Sequence, residues 1–402
     1  MEKQAFDRVL PRCSLFETCG GCTLQDLSYA DQLFLKKQRV ERFLAEAGVT
    51  ADVSLTGLEE PWRYRNKAEF SFGEDKGQLS LGFHAARSFS RIIDLDDCFL
   101  LPQPMLDLLH QLRRLSRQSG LPAYHLKSHR GFFRYAILRQ SHATGKMQLC
   151  LLTGSASGDY PLDCLRGKIE AIFHALAQDN PHFHSGYWGI TDKLSDVALP
   201  ETLEHLHGEA FLEEAIGPFK VSLHPLTFLQ SSTIQAQRLY EAIADRLKAG
   251  CLTAWDLYCG IGLISFYLSG RVGHIYGIEQ SAASVSLANL NAKRNGVSNA
   301  SFYEGAVEDV LKDRRFWLKK ARPDVVIVDP PRTGLNPAVI ASIVCAKPLQ
   351  IGYVSCNVQS LARDLKLILS SFPRYQVESV ESFDMFAQTD HVETLAWLRQ
   401  VG

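Results

Sequence analysis

From residue 252 onward the chain repeats one pattern: a short apolar run, a tight turn, then a helix-like stretch. The apolar runs fall at residues 252–257, 274–278, 300–303, 324–328 and 350–354, and helical periodicity occupies 282–294 and 360–369. Runs too short for helices but separated by helices specify a doubly wound parallel sheet, because parallel neighbours need crossover connections. Such a sheet places its ligand crevice at the carboxyl ends of the strands. The first half has a different texture. After a helical segment at 30–47, residues 62–93 alternate in the period-two manner of strands; helix-like 104–117 and strands near 133–138 and 147–152 follow. We therefore expect an α+β domain over residues 1–216 and an α/β domain over 217–402, with the boundary at Ile216-Gly217-Pro218 and no internal repeat.

With 402 residues, 46% hydrophobic and 22% charged, the chain can bury two cores without disulfide staples. No apolar run reaches membrane-spanning length and residues 1–8 lead into no apolar signal core, so a soluble, cytoplasmic protein is expected. The net charge of −1 gives no global attraction for nucleic acid, so such a partner must be held by a local basic surface. Three runs mix basic and aromatic residues: Arg63-Tyr64-Arg65-Asn66-Lys67, the helix face with Arg113 and Arg114, and Lys127 to Tyr135. They suit phosphate and unpaired bases. For any one run alone, a solvated surface is the commoner explanation.

Ten cysteines in a reducing compartment are not a disulfide framework. Cys150, Cys164, Cys251, Cys259 and Cys345 lie mostly in apolar or strand-like settings and behave as small hydrophobes. Cys13, Cys19 and Cys22 are clustered, with glycines at 20 and 21, and Cys98 is the nearest later partner. Four thiolates suit tetrahedral zinc or an iron–sulfur cluster, and three close cysteines plus one remote favour iron–sulfur over the paired spacing of zinc. The glycines mark a loop, which disfavours buried, unliganded thiols.

The crevice motifs follow in order. The first turn reads Asp256-Leu257-Tyr258-Cys259-Gly260-Ile261-Gly262, where glycines let backbone approach a ligand, and Glu279 closes the next strand, where an acid binds ribose hydroxyls. A glycine turn alone is weak evidence, since it also serves strand–helix packing. Asp329-Pro330-Pro331-Arg332 ends the fourth run, and the prolines hold Asp329 extended over the crevice. Cys356 ends the fifth strand at the start of a helix, a position that lowers a thiol pKa and favours the nucleophilic thiolate. Residues 384–393 bend between two strands and present Glu393 as a general base, with His391 as either a hydrogen-bonding or a packing residue.

These motifs, taken with Phe228-Leu229-Gln230 and Ser355-Cys356-Asn357, resemble the RNA (uracil-5-)-methyltransferases of the iron–sulfur-containing kind that modify bacterial 23S ribosomal RNA. The resemblance implies a Rossmann-like S-adenosylmethionine domain behind an N-terminal RNA-binding domain. It further implies Cys356 as the nucleophile at uracil C6 and Glu393 as the base. Gln230, Tyr258, Gly260, Glu279 and Asp329 would line the cofactor pocket, and Cys13, Cys19, Cys22 and Cys98 would ligate a [4Fe–4S] cluster. A uracil in folded RNA must be unstacked to reach Cys356, hence a domain that grips RNA. No obligatory protein partner is implied.

The sequence departs from the family pattern at Ser232, Ala387 and Leu263, which bears on positioning rather than chemistry. Cys13 lies so near the start that the small β-barrel domain (TRAM) preceding this motif in many relatives has no room. A transfer-RNA substrate and an assembly factor that retains the fold without turnover are the alternatives. Cytosine-5 chemistry would be expected to show a Pro-Cys or Thr-Cys nucleophile motif, and a radical enzyme a Cys-x3-Cys-x2-Cys loop.

Overall fold

The computed structural model describes residue 6 and residues 8–401 apart from positions 76, 89, 157, 159, 196, 315, 316 and 318–320. The chain opens with helix α1 (Tyr29–Glu46), capped by Ser28, whose side chain accepts from the Asp31 amide, and strand β1 (Val53–Thr56). A mostly antiparallel sheet follows: β2 (Lys67–Asp75), β3 (Gln78–His84), β4 (Ile92–Asp94), β5 (Phe133–Gln140), β6 (Met147–Thr153), β7 (Phe183–Ile190) and β8 (Thr202–Gly208). Its order is β4-β3-β2-β5-β6-β7-β8, and only β6 and β7 run parallel, because α3 (Leu162–Asp179) crosses between them. Helices α2 (Gln103–Gln118) and α3 cover one face through Leu106, Leu109, Leu112, Leu165, Ile169 and Phe173.

The hairpin β9 (Leu212–Ile216) and β10 (Phe219–Leu223) leads to α4 (Thr233–Asp245). Then comes the α/β repeat: β11 (Thr253–Leu257), α5 (Leu263–Ser269), β12 (His274–Glu279), α6 (Ala282–Arg294), β13 (Ala300–Glu304), α7 (Val307–Val310), β14 (Val325–Val328), α8 (Pro337–Ala346), β15 (Gln350–Ser355), α9 (Val358–Ser371), β16 (Tyr375–Phe383) and β17 (Glu393–Gln400). The eight-stranded order is β1-β16-β17-β15-β14-β11-β12-β13. Strands β11 to β15 are parallel, as the apolar runs require, and β17 inserts antiparallel to both β15 and β16. All four residues of β14, Val325 to Val328, are fully buried, which stabilises the sheet by roughly 1.5–3 kcal/mol per side chain.

The expected division at 216/217 meets a more interleaved arrangement. It falls inside the β9–β10 hairpin, and β1 and α1 from the first fifty-six residues join the second sheet. Val40, Leu44, Val49 and Val53 pack into the core formed by Val326, Val328, Leu361 and Val380. The pairing of β1 with β16 leaves no trace in local periodicity, because four residues are too few to show a period. No helix among the described residues is long and apolar enough to cross a membrane.

Candidate active site

A cavity of about 530 Å³ opens at the carboxyl ends of β11, β12, β14 and β15. Its walls bring together Gln230, Tyr258, Gly260, Glu279, Asp329, Cys356 and Glu393, all singled out from the sequence. Phe228, Glu308, Arg332 and Phe386 complete it, and the volume suits a ligand the size of a nucleoside cofactor. A second hollow of about 150 Å³ adjoins it, lined by Arg39, Arg332, Cys356, Asn357, Asp390 and His391. Cys356 and Arg332 belong to both, so the thiol stands in the wall between them.

The glycine turn divides its work. Gly260 has φ +53°, and a Cβ there would meet nothing within 4 Å, so its backbone faces the open cavity. Gly262, at φ +85°, precedes α5, and a Cβ there would meet Phe302 at 2.9 Å and Phe266 at 3.1 Å; it serves packing. Tyr258, with φ +65°, holds the left-handed conformation that side chains rarely adopt, and its amide donates to the Ile278 carbonyl at 2.9 Å. Strain kept at a ligand wall is common where the surrounding structure over-determines it. The Glu279 carboxylate is fixed by the Gly260 amide at 3.1 Å and the Ser281 amide at 2.8 Å.

Gln230 is set from the residue just before β2, far away in sequence. The Asn66 side-chain amide donates to the Gln230 carbonyl and to the Thr233 hydroxyl, both at 2.9 Å, while the Asn66 backbone amide donates to the Ser231 carbonyl. Asn357 caps α9 through its side chain, which accepts from the Gln359 amide and donates to the Arg332 carbonyl at 3.0 Å. That bond ties the loop after Asp329 to the residue after Cys356.

The electrostatics correct one sequence expectation. The Cys356 thiol is pushed up to about 11, by burial first and then by the charges of Glu393 and Asp329, against the pull of Arg332 through charge and a hydrogen bond. The helix start does not win, because burial penalises the thiolate and two carboxyls add to that penalty. Asp329 is itself raised to about 7 by burial and the charge of Asp256. Glu393 is pushed well above the carboxylate range by burial and by Asp329, with Arg332 opposing. His391 is pushed below its ordinary value by burial, then held up by Asp390 and pushed down by Arg332, Arg39 and Lys36. Burial and mutual repulsion therefore favour the protonated forms of Asp329 and Glu393, and a cation between them would oppose that.

The four cysteines are free thiols, all partly buried; Cys13, Cys19 and Cys22 share one loop, bridged from Cys19 to Ala85 just past β3, and Cys98 follows β4. Among the described residues no three metal-competent side chains stand close enough to hold an ion. They do feel one another. Cys22 is pushed up to about 12 by burial and then by the charges of Cys98, Cys19 and Cys13, and Cys98 to about 11 by burial and the charge of Cys19. Cys19 is likewise raised, chiefly by burial, although the Gly21 amide donates to its sulfur at 3.4 Å.

Most of the basic runs are spent inside the protein. Arg63 donates to the carbonyls of Cys98 and Leu101, Arg113 and Arg117 pair with Asp94, and the buried Arg134 donates to the carbonyls of Thr191, Lys193 and Ser195. Lys127 and Arg130 are exposed and form no ion pair among the described residues. Lys127 lines a hollow of about 180 Å³ with His84, Tyr124, His125 and Arg134. Sequence reasoning missed Phe386, Glu308 and Arg39 as wall residues; Arg39 is brought from α1 by tertiary contact alone.

Comparison with known proteins agrees with this geometry. The profile of a family described as tRNA (Uracil-5-)-methyltransferase matches residues 222–401. The chain is 35% identical to an RNA methyltransferase of Halalkalibacterium halodurans and 34% identical to one of Clostridium acetobutylicum, each alignment covering 98% of this chain and 84% of the relative. The crystal structure of Pyrococcus abyssi tRNA (uracil-54, C5)-methyltransferase with S-adenosyl-L-homocysteine superposes with a TM-score of 0.75 at 26% identity, covering 95% of this chain and 86% of that one. Full-length similarity at this level, with a carboxylate-lined nucleoside-sized cavity at the switch point of the sheet, shows that the chain belongs to the RNA (uracil-5-)-methyltransferase family and is an S-adenosylmethionine-dependent RNA methyltransferase.

Proposed function

We propose that the protein methylates C5 of a uridine in 23S ribosomal RNA through a covalent adduct between Cys356 and uracil C6. The observation that carries this reading is the shared wall: Cys356 faces the large cavity and the smaller hollow at once, between Glu393 and Arg332. The cofactor fits the large cavity because the open backbone at Gly260 and the carboxylates of Glu279, Glu308 and Asp329 suit a nucleoside carrying a cation. Bound S-adenosylmethionine supplies the methyl group as an electrophile.

Gln230, Tyr258, Gly260, Glu279 and Asp329 hold the cofactor; Phe228 and Phe386 offer rings at the wall on which an unstacked base rests. The thiolate of Cys356 adds to C6, and C5 becomes nucleophilic and takes the methyl group. Glu393 then accepts the C5 proton, and the thiolate leaves. Arg332 favours the thiolate that starts the sequence and shields it from the two acids. RNA beyond the target nucleotide is held by the central sheet, where Lys127 and Arg130 present free charge beside Tyr124.

In the same reading Cys13, Cys19, Cys22 and Cys98 hold a [4Fe–4S] cluster. In its favour, Cys22 and Cys98 are each raised in part by the charges of other thiols of this set, a cost that a cationic iron centre would remove. The reaction steps do not pass through it. Iron and acid-labile sulfide in protein purified without oxygen test it, and protein that folds and turns over without either overturns it.

Tritium release from 5-tritiated uridine in bulk unmodified RNA tests the whole reading. Release from ribosomal RNA in the presence of S-adenosylmethionine supports it. Release from transfer RNA alone favours a tRNA enzyme, the substrate named for the Pyrococcus abyssi protein. Cofactor binding with no release from either pool supports an assembly factor.

A further inference from the structure

The loop from Asp384 to Val392 connects β16 to β17 and delivers Glu393, whose strand partner is Phe383. Five of its nine residues, Asp384, Phe386, Ala387, Gln388 and Asp390, are hydrogen-bonded to the first sixty-four residues of the chain. On α1, Tyr29 donates to Asp384 Oδ2 at 2.8 Å, and Lys36 Nζ donates to Asp384 Oδ1 at 2.6 Å and to the Phe386 carbonyl at 3.1 Å. Gln32 exchanges a pair of bonds with Gln388, side chain to side chain at 3.0 Å and from the Gln388 amide at 3.1 Å. Arg39 Nη1 reaches the Asp390 carbonyl and carboxylate. These four residues share one face of α1 at helical spacing.

The cysteine loop grips the same segment from the other side. The amides of Thr23 and Leu24 both donate to the Gln388 carbonyl, the Asp390 amide donates to the Thr23 hydroxyl, and Tyr64 donates to the Ala387 carbonyl. Gln388 itself has φ +70°, a conformation a side chain rarely holds unaided. Lys36 and Gln32 are each 1% exposed, Asp384 0% and Gln388 2%, so these bonds are made out of water. A buried lysine–carboxylate pair is a poor source of stability, since desolvation offsets most of the attraction. Its use is to fix a geometry.

We propose that Lys36 and Gln32 of α1, together with the cysteine loop, are positioning residues for the general base, fixing the 384–392 loop so that Glu393 can collect the C5 proton. This rests on the uracil reading above. The step they serve is the breakdown of the methylated adduct. Glu393 takes the proton, the C5–H electron pair becomes the C5=C6 π bond, and the C6–S bond breaks with its pair on Cys356. Methyl transfer precedes that step and does not use the base.

The test is single-turnover kinetics of the full-length protein on 5-tritiated uridine RNA with methyl-labelled S-adenosylmethionine, comparing wild type with Lys36→Met, Lys36→Arg, Gln32→Leu and the surface variant Arg39→Gln. We expect Lys36→Met and Gln32→Leu to transfer methyl to RNA within about twofold of the wild-type rate. Their tritium release should fall by about tenfold or more, with protein–RNA adduct persisting on denaturing gels, and Lys36→Arg should restore release. Where Lys36→Met does not fold, Arg39→Gln carries the test, with a smaller lag in the same direction. Methyl transfer and tritium release that slow together without adduct, in every variant that folds, overturn the positioning role and leave uracil chemistry standing. A wild-type protein that releases no tritium from any RNA overturns the uracil reading and the positioning role with it.

Discussion

Cys356 continues β15 by one residue beyond the Ser355–Thr394 register pair, which places it across from Glu393, the first residue of β17. The pairing of β15 with β17 therefore sets which residues face each other, while the 384–392 loop holds the start of β17, where Glu393 lies. The antiparallel insertion of β17 beside β15 is what turns a cofactor fold into one that carries an acid opposite a thiol.

Cys356→Ala should abolish tritium release, by on the order of 10³-fold or more, while S-adenosylmethionine still binds within about twofold of wild type. Isothermal titration beside the release assay checks both halves. Residual turnover near the wild-type rate would remove the adduct from the mechanism.

Glu393→Gln keeps the shape of the side chain but cannot take a proton. Turnover should fall by about 10²–10⁴-fold. Methylated RNA should stay covalently attached, visible as a shifted band after denaturing electrophoresis. A variant that slows without accumulating adduct would give the proton to another group.

With the thiol raised to about 11, the free enzyme holds little thiolate at neutral pH. The thiolate fraction, and with it kcat/KM, should climb about tenfold per pH unit between pH 7 and 9. Arg332→Gln removes the guanidinium that pulls the thiol down, so the variant's rise should lie at higher pH. A flat wild-type profile over this range would contradict the raised value.

Asp329, raised to about 7, is neutral below that pH and anionic above it. Attraction for the cofactor's sulfonium is then lost as pH falls, so the Kd for S-adenosylmethionine should rise between pH 8 and 6 while that of the neutral-sulfur S-adenosylhomocysteine changes less. Titration of both ligands at the two pH values checks the sign. Without ligand the linkage runs the other way for stability: a raised carboxyl favours the fold below its unfolded pKa and loses that contribution as pH rises through about 7.

Asn66→Ala leaves the Gln230 carbonyl and Thr233 hydroxyl without their shared donor in a buried setting. It should cost about 1–3 kcal/mol in urea unfolding and weaken cofactor binding, although Asn66 does not line the cavity.

The sequence showed the parallel strands because each is a short, mostly apolar run between helix-like stretches, and β11 to β15 lie within a residue or two of expectation. It showed the crevice residues because their motifs sit at the ends of those runs. It did not show what reaches them from afar. Asn66 lies in a run whose basic neighbours suggested phosphate, yet Arg63 holds the turn around Cys98 and Asn66 holds Gln230. Helix α1 looked like an ordinary amphipathic element, while its buried face carries Gln32 and Lys36, polar residues that find partners some 350 positions away. The thiol pKa was misjudged for the same reason: the helix start is local and visible, whereas the burial that raises the thiol, and the carboxyls that add to it, arrive by folding.

Strand β1 also carries a consequence for how the protein is made. Its partner in the sheet, β16, is paired from Val53 to Val380, so more than three hundred residues separate the two in synthesis. At elongation speeds of about 5–20 residues per second, β1 and the buried face of α1 wait roughly 15–65 s for the strand and loop that cover them. During that interval the nascent chain displays an unpaired edge and an unpartnered lysine, and the central sheet finishes first. The catalytic half thus closes only once the β16–β17 hairpin has been made, and a nascent chain stalled before that point exposes an unpaired edge to aggregation.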